Sequence, residues 1–526
     1  MPPTPPSPTS SAHVDTFARD NLPPRELWPH MPYELPELAY PPRLNCAHAL
    51  LDAVIARHGA GRPCVLTPGD AWTYGDLLDR ANRLANVLTG DLGVVPGNRV
   101  LLRAPNNPWL VACWFAVLKA GAIAVTTMPL LKEAELRAIG EIAQVDLSLV
   151  DDRFAADLLS ADISPVHTFD ELRDRSATRS PEFATVDTAA DDVALLAFTS
   201  GTTGRPKATM HFHRDVLANA DTFSRHILKP RATDLFIGSP PLGFTFGLGM
   251  EVVFPMHAGA ATLLLEKGTP DLLLPAIAEF GATVVATAPT AYRAMLKEFR
   301  ELPSLRRCVS AGEPLPEPTW HDWRAATGIP LIDGIGATEM LHIFISAADA
   351  DIRPGATGKA IPGYEARIVG EDGEPLPDGE LGRLAVRGPT GCRYLADPRQ
   401  ADYVRGGWNH TGDIYSRDAD GYFWYHSRGD DMIISAGYNI SGAEVEWALL
   451  SHPAVAECAV VGVPDAERTM TVKACVVLRP GLTATPDDLI AHCRDRIAVY
   501  KRPRVVEFLD ALPRTSTGKV QRFKLR

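Results

Sequence analysis

Between an apolar run, Val193 to Phe198, and a helical pattern that starts near His213 lies the segment Thr199-Ser200-Gly201-Thr202-Thr203-Gly204-Arg205-Pro206-Lys207. A buried strand that feeds a Gly/Thr loop and then a helix belongs to an α/β domain with largely parallel strands. Ligands on such sheets sit in loops at the carboxyl ends of strands. The loop composition suits a triphosphate. Its glycines let backbone N–H groups approach oxygens, and its hydroxyls and Lys207 add donors and charge. It is not a Walker A loop: counted from Gly201, the position of the second glycine holds Pro206.

The surrounding chain repeats the theme. Ala282 to Ala288 predicts a strand, Thr290 to Phe299 a helix, and Arg307 to Ser310 another short strand before a turn. After about Tyr425 the character changes. Val455 to Val463 and Thr471 to Leu478 predict strands separated by a turn at Pro464-Asp465, and Thr485-Pro486-Asp487-Asp488 opens a helix. This predicts a small α+β domain of roughly one hundred residues.

At 526 residues the chain exceeds one compact core and implies two or three domains. Its net charge of −12 argues against wrapping nucleic acid. The eight cysteines form no CxxC pair and no Cys/His ligand spacing, as expected of reduced thiols. Met1 to Ser11 is rich in Pro, Ser and Thr without an apolar core, so a disordered tail is expected and not a signal peptide. The longest apolar stretch, Trp109 to Leu131, is interrupted by Lys119, Gly121 and Pro129; it predicts a buried helix and strand, not a membrane span. The expected location is cytoplasmic.

Further motifs follow in order. They are Ser310-Ala311-Gly312-Glu313-Pro314, Asp333-Gly334-Ile335-Gly336-Ala337-Thr338-Glu339, His410-Thr411-Gly412-Asp413, Arg428-Gly429-Asp430-Asp431 and Pro513-Arg514-Thr515-Ser516-Thr517-Gly518-Lys519. With the phosphate loop, from roughly Leu50 to the C-terminus, the chain resembles the adenylate-forming superfamily of acyl-CoA synthetases, peptide-synthetase adenylation domains and luciferases. The resemblance implies a large N-terminal domain of layered α/β subdomains plus a distorted β-barrel, spanning 13–427 behind a tail at 1–12. A hinge at 428–431 and a small mobile α+β domain at 432–526 would follow. The cofactor and co-substrates implied are ATP, Mg²⁺ and coenzyme A.

The same resemblance assigns roles. Thr199 to Gly204 and Lys207 would hold phosphate, with His213 near the acyl carboxylate. Ala311, Gly312, Glu313 and Pro314 would lie along adenine, beside Asp333, Gly334 and Gly336. Thr338 would contact phosphate and Glu339 would hold Mg²⁺. Asp413 would accept from the ribose hydroxyls, Arg428 would contact ribose or phosphate, and Asp430 would be the pivot. Lys519 would reach the carboxylate and the α-phosphate. Ser435, Ala436, Gly437, Tyr500 and Arg504 would serve coenzyme A. Taken singly, Asp413 fits a turn, Arg428 a surface ion pair, Glu339 a helix cap, His213 a core histidine and Lys519 a solvated charge. Two departures stand out: Ala208 where glycine is usual, and Ile335 where many members stack an aromatic on adenine.

Pro240 to Gly249, Gly334 to Phe344 and Asp15 to Pro24 resemble the branch of ligases for benzoate and 2-aminobenzoate. Phe244, Thr245, Phe246, Gly247, His342 and Ile343 would then line the ring site. A benzoate bearing at most one small polar ortho group, 2-aminobenzoate or 2-hydroxybenzoate, is the expected substrate. The alternatives are a stand-alone enzyme that loads an aryl group onto a carrier protein, and a non-catalytic nucleotide-binding regulator. No carrier domain follows Gln521-Arg522-Phe523 in this sequence. The partners expected are small molecules, with no nucleic acid or membrane, and the chain is a monomer or homodimer.

Overall fold

The computed structural model describes residues 10–199, 206–298, 301–429, 431–435, 438–465, 469–494, 496–497, 499–514 and 519–526. A large N-terminal part carries three sheets and a smaller C-terminal part carries a fourth. The first is six-stranded. Strands Val166–Thr168, Leu147–Val150, Arg99–Arg103, Ile123–Thr127 and Val193–Thr199 run parallel, and Lys207–Phe212 closes the edge antiparallel. The second is nine-stranded, parallel from Leu331–Gly336 through Arg307–Ser310, Val284–Thr287, Leu235–Gly238 and Ala261–Leu263 to Pro63–Leu66. Antiparallel strands flank it at both ends. A five-stranded antiparallel sheet from Glu365–Val369 to Phe423–Arg428 stands where the small barrel is expected.

The expected elements are in place, with three differences. The apolar stretch forms the helix Pro108–Lys119, capped by Asn107 Oδ1 on the Leu110 N–H at 2.9 Å, and the strand Ile123–Thr127. Among the described residues no helix is long and apolar enough to cross a membrane. Thr485 caps the helix Pro486–His492 in a reciprocal box with Asp488. The turn expected at Pro464-Asp465 is displaced, because both residues stay in the strand Val455–Asp465, paired with Met470 and Thr469. Ser11 and Ala12, assigned to the tail, are tied to Asp192, the Ala12 N–H at 2.9 Å. The third difference is the strand Lys207–Phe212, which a direct passage from loop to helix overlooks. Its alternation is period two: Ala208, Met210 and Phe212 face one core, while Thr209 and His211 point the other way.

That strand is held on its free edge as well. The Met210 N–H donates to the Arg393 carbonyl at 2.8 Å and the Leu395 N–H to the Ala208 carbonyl at 2.9 Å, with Thr209 bridging Tyr394. Arg393 and Asp215 form an ion pair with neither side chain exposed, and the guanidinium lies 4.0 Å from the centre of the Phe212 ring. Removing one member of such a pair strands a charge in the core. Asp215→Ala is therefore expected to destabilise the protein by about 3–5 kcal/mol, read as a lowered denaturant midpoint. An unchanged midpoint would contradict this account.

Candidate active site

The carboxyl ends of the parallel strands bring the motifs together. Val193–Thr199 leads to the phosphate loop, of which Ser200 to Arg205 lie outside the described residues. Thr199 pairs with Lys207 across the antiparallel ladder. Arg307–Ser310 leads to Ala311-Gly312-Glu313-Pro314, where Gly312 takes φ +88°, a conformation suited to glycine. Leu331–Gly336 carries Asp333, Gly334 and Gly336 and runs into the short 3-10 turn Thr338–Met340.

Lys207 and Glu339 face each other here, with Nζ 3.7 Å from Oε1. Tyr394 stands between them. Its hydroxyl accepts from Lys207 Nζ at 2.7 Å and donates to Glu339 Oε1 at 2.5 Å. His211 Nε2 donates to the Thr338 carbonyl at 2.8 Å. Asp333 has its Oδ1 buried, and burial pushes its carboxyl up to about 8, offset in part by the Gly334 N–H. Asp413, 6% exposed, accepts from Arg428 Nη1 at 2.9 Å; burial still raises its pKa.

The C-terminal sheet closes over this face. Arg514 Nη1 lies 3.7 Å from Glu313 Oε1, and its other nitrogen bonds Glu457 at 2.7 Å. Burial raises the Glu313 pKa, while the positive charges of Arg514 and Lys519 oppose that rise. The Lys519 charge also acts on Asp413. Lys519 is thus near enough to act on both motifs through its charge. Ser435 is buried and Arg504 exposed on the same small sheet assembly. Asp430, Ala436, Gly437 and the Tyr500 side chain lie outside the described residues.

The aryl segments converge on His342. Its ring is 3% exposed and sits among Phe223, Phe246 and Phe254, with centroids at 5.3, 5.6 and 4.6 Å. Phe223 belongs to the π-helix Ala220–Leu228, and Phe254 follows the π-helix Gly249–Val253. Leu341 takes φ +69°, a strained conformation for a residue with a side chain, just before the ring enters this cage. Gly249 is obligatory, because a Cβ there would lie 2.4 Å from His342 Cδ2. Phe244, Thr245 and Phe246 are half-buried, Gly247 is buried, and Ile343 is 1% exposed. Burial drives the His342 pKa down to about 3, so the ring is neutral at physiological pH.

One assignment is corrected. His213 does not join this group. It is fully buried at the start of the helix His213–Asn219, its Nδ1 3.2 Å from Cys46 Sγ and accepting from the Cys46 N–H at the same distance. The strand Lys207–Phe212 ends one residue earlier, which turns His213 into the core. It is His211 that faces Thr338. Residues that sequence reasoning missed are Tyr394, His211, Phe223 and Phe254, along with the contact of Arg514 to Glu313. Only Arg514 carried a local signal, its place in the final motif.

Two parallel sheets thus meet under a small domain at one polar cleft, the arrangement of enzymes that bind nucleotides at strand ends. Residues 51–394 match the AMP-binding enzyme family and residues 444–519 its AMP-binding enzyme C-terminal domain. The chain is 34% identical to a benzoate–CoA ligase of Thauera aromatica over 93% of this chain and 97% of the relative. It superposes on the crystal structure of the anthranilate CoA ligase AuaEII in complex with anthranoyl-AMP with a TM-score of 0.89 at 35% identity, covering 94% and 98% of the two chains. A benzoate CoA ligase from Burkholderia xenovorans LB400 gives 0.85 at 32% identity, covering 92% and 100%. The chain belongs to the AMP-binding enzyme family and is an AMP-forming acyl-CoA synthetase.

The corrected histidine yields a pH prediction. Burial lowers the His213 pKa to about 3 from its ordinary 6.5. The unfolded chain therefore takes up a proton below pH 6.5 that the folded chain refuses. The native protein loses up to about 1.4 kcal/mol per pH unit on this account as pH falls from 6.5 toward 3. His213→Gln lacks that proton. Its stability deficit against the native protein, from denaturant titrations at pH 7, 6 and 5, is expected to shrink on acidification. A deficit constant with pH would refute the assignment.

Proposed function

We propose that this enzyme is an aryl-CoA ligase. It would join benzoate, or a benzoate with one small polar ortho group such as 2-aminobenzoate or 2-hydroxybenzoate, to AMP. It would then pass the aryl group to coenzyme A. The observation that carries this reading is the neutral His342 in its cage of three phenylalanines, with Ile343 beside it. Neither imidazole nitrogen makes a full hydrogen bond within the protein. Phe246 offers a flat apolar face to a ring, and His342 and Thr245 offer hydrogen bonds to its substituent. The similarity to ligases named for benzoate and anthranilate supports the same choice.

Adenylation brings two anions together, so its barrier is largely electrostatic. Lys207, with Tyr394 taking one of its N–H groups, keeps others for phosphate oxygens. Lys519, whose charge acts on Asp413 and Glu313, would reach the carboxylate and α-phosphate. Asp413 would accept from the ribose hydroxyls, and Asp333 has a buried acceptor for the base. Glu339 fits Mg²⁺: a single buried carboxylate beside phosphate is how that ion is commonly bound, the nucleotide supplying further oxygens. When bound, the ion neutralises charge on those oxygens. Thiol transfer would follow rotation of the small domain about Asp430, which withdraws Lys519 and presents Ser435, Ala436, Gly437, Tyr500 and Arg504 to coenzyme A.

Two measurements test this. Incubation with ATP, Mg²⁺, coenzyme A and a pool of aromatic and aliphatic acids is expected to give a dominant aryl-CoA mass. Aliphatic thioesters alone would overturn the ring-site reading, and no thioester would overturn coenzyme A as acceptor. Lys519→Ala is expected to lower pyrophosphate release by at least about 100-fold, the scale of losing one charge-stabilising group. It should largely spare thioester formation from supplied aryl-adenylate. Equal loss of both half-reactions would refute the domain-alternation reading.

A further inference from the structure

We propose that Tyr394 is a positioning residue for adenylation: its hydroxyl holds Lys207 and Glu339 apart and aims both at the nucleotide. The proposal rests on the adenylation reading above. An ammonium and a carboxylate sharing a buried pocket would otherwise close to direct contact at about 2.8 Å. Here they stay 3.7 Å apart because one hydroxyl serves both, accepting at 2.7 Å and donating at 2.5 Å. No other uncharged side chain of this size both accepts from a cation and donates to an anion from a rigid stem. The ring contributes as well. Lys207 Nζ lies 4.6 Å from the Tyr394 ring centre and 5.9 Å from that of Tyr403, so the cation rests on aromatic faces and not against the carboxylate.

Tyr394 can act in this way because its surroundings hold it in place. Its side chain is completely buried. Its main-chain N–H donates to Gln400 Oε1 at 2.8 Å, and Gln400 is itself held by the Leu27 and Cys392 carbonyls at 2.8 and 3.0 Å. Thr209 bridges it across the sheet edge, two residues from Lys207. The 2.5 Å contact places the phenol proton on the side of the carboxylate, opposite the ammonium that the same oxygen accepts from. Glu339 then has Oε1 satisfied and Oε2 left to serve a ligand.

The test is Tyr394→Phe, which removes the oxygen and keeps the ring. Pyrophosphate exchange with the preferred acid is expected to fall about 10–100-fold, the range for a hydrogen bond to charged groups. Calorimetric affinity for ATP·Mg²⁺ should weaken, and thioester formation from supplied aryl-adenylate should stay within about two-fold of the native rate, given that this step does not use the pair. A residue that merely supports the fold would slow both half-reactions together. A double-mutant cycle adds an independent readout: in the Glu339→Gln background, Tyr394→Phe is expected to cost little more, since the two act as one unit. Equal loss in both half-reactions, additive losses in the cycle, or unchanged exchange would each overturn the proposal. A native enzyme that binds ATP yet releases no pyrophosphate with any acid would instead sink the adenylation reading, and the proposal with it.

Discussion

The structure depends on how one strand is gripped. Lys207–Phe212 is held along one edge by Val193–Thr199 and along the other by residues 393–395. That second grip joins the six-stranded sheet to the part of the chain that forms the antiparallel sheet. The buried Arg393–Asp215 pair fixes it, and Phe212 packs against the guanidinium. Lys207 begins the strand, His211 reaches Thr338 from its other face, and Tyr394 arrives on the neighbouring segment. A lysine at a strand end has one fixed direction. The same lysine within a flexible loop would pay rotamer and backbone entropy at each encounter with a ligand.

Burial sets the electrostatics of the site. Asp333, Asp413 and Glu313 all have raised pKa values for the same first cause, loss of water; hydrogen bonds from Gly334 and Ser310 partly offset it at Asp333, and nearby cations at Asp413 and Glu313. His342 is driven the other way and stays neutral. Such groups are costly in an empty site, and a ligand that brings hydroxyls, an amino group or an aryl ring satisfies them. The strain at Leu341 fits this pattern, since it precedes a His342 whose ring nitrogens have no full hydrogen bond among the described residues.

Much of this was legible in the sequence because motif order and strand periodicity are local signals. The strand Arg307–Ser310 and the helix cap at Thr485 read directly from residue type and spacing. Tyr394 did not, since nothing in Gly391-Cys392-Arg393-Tyr394 announces that a tyrosine will stand 187 residues away in sequence from the lysine it touches. His211 and His213 show the limit of spacing alone. Two positions apart, they would share a face if the strand continued, but the helix begins at His213 and sends it to Cys46. The π-helix that supplies Phe223 and the one that leads into Phe254 are likewise set by packing, which no helical periodicity in the sequence marks.

On the proposed reading, the small domain has to close and reopen. Among the described residues its contacts with the strand-end motifs are polar: Arg514 reaches Glu313 at 3.7 Å while keeping a 2.7 Å bond to Glu457 within its own part, and Lys519 acts on Glu313 and Asp413 through charge. Partly exposed ion pairs of this kind contribute only about 0–1 kcal/mol each. An apolar seam would bury area worth several times that and hold one arrangement. The small domain has its own core, around Val445, Val460, Val472 and Val476. On the proposed reading, a domain with its own core, held by weak charges, is what two half-reactions on one site require. On that reading the carboxylate oxygen bonds the α-phosphorus as the bond to pyrophosphate breaks; the carboxylate loses its charge, pyrophosphate leaves, and with them would go much of the attraction that keeps Lys519 in place.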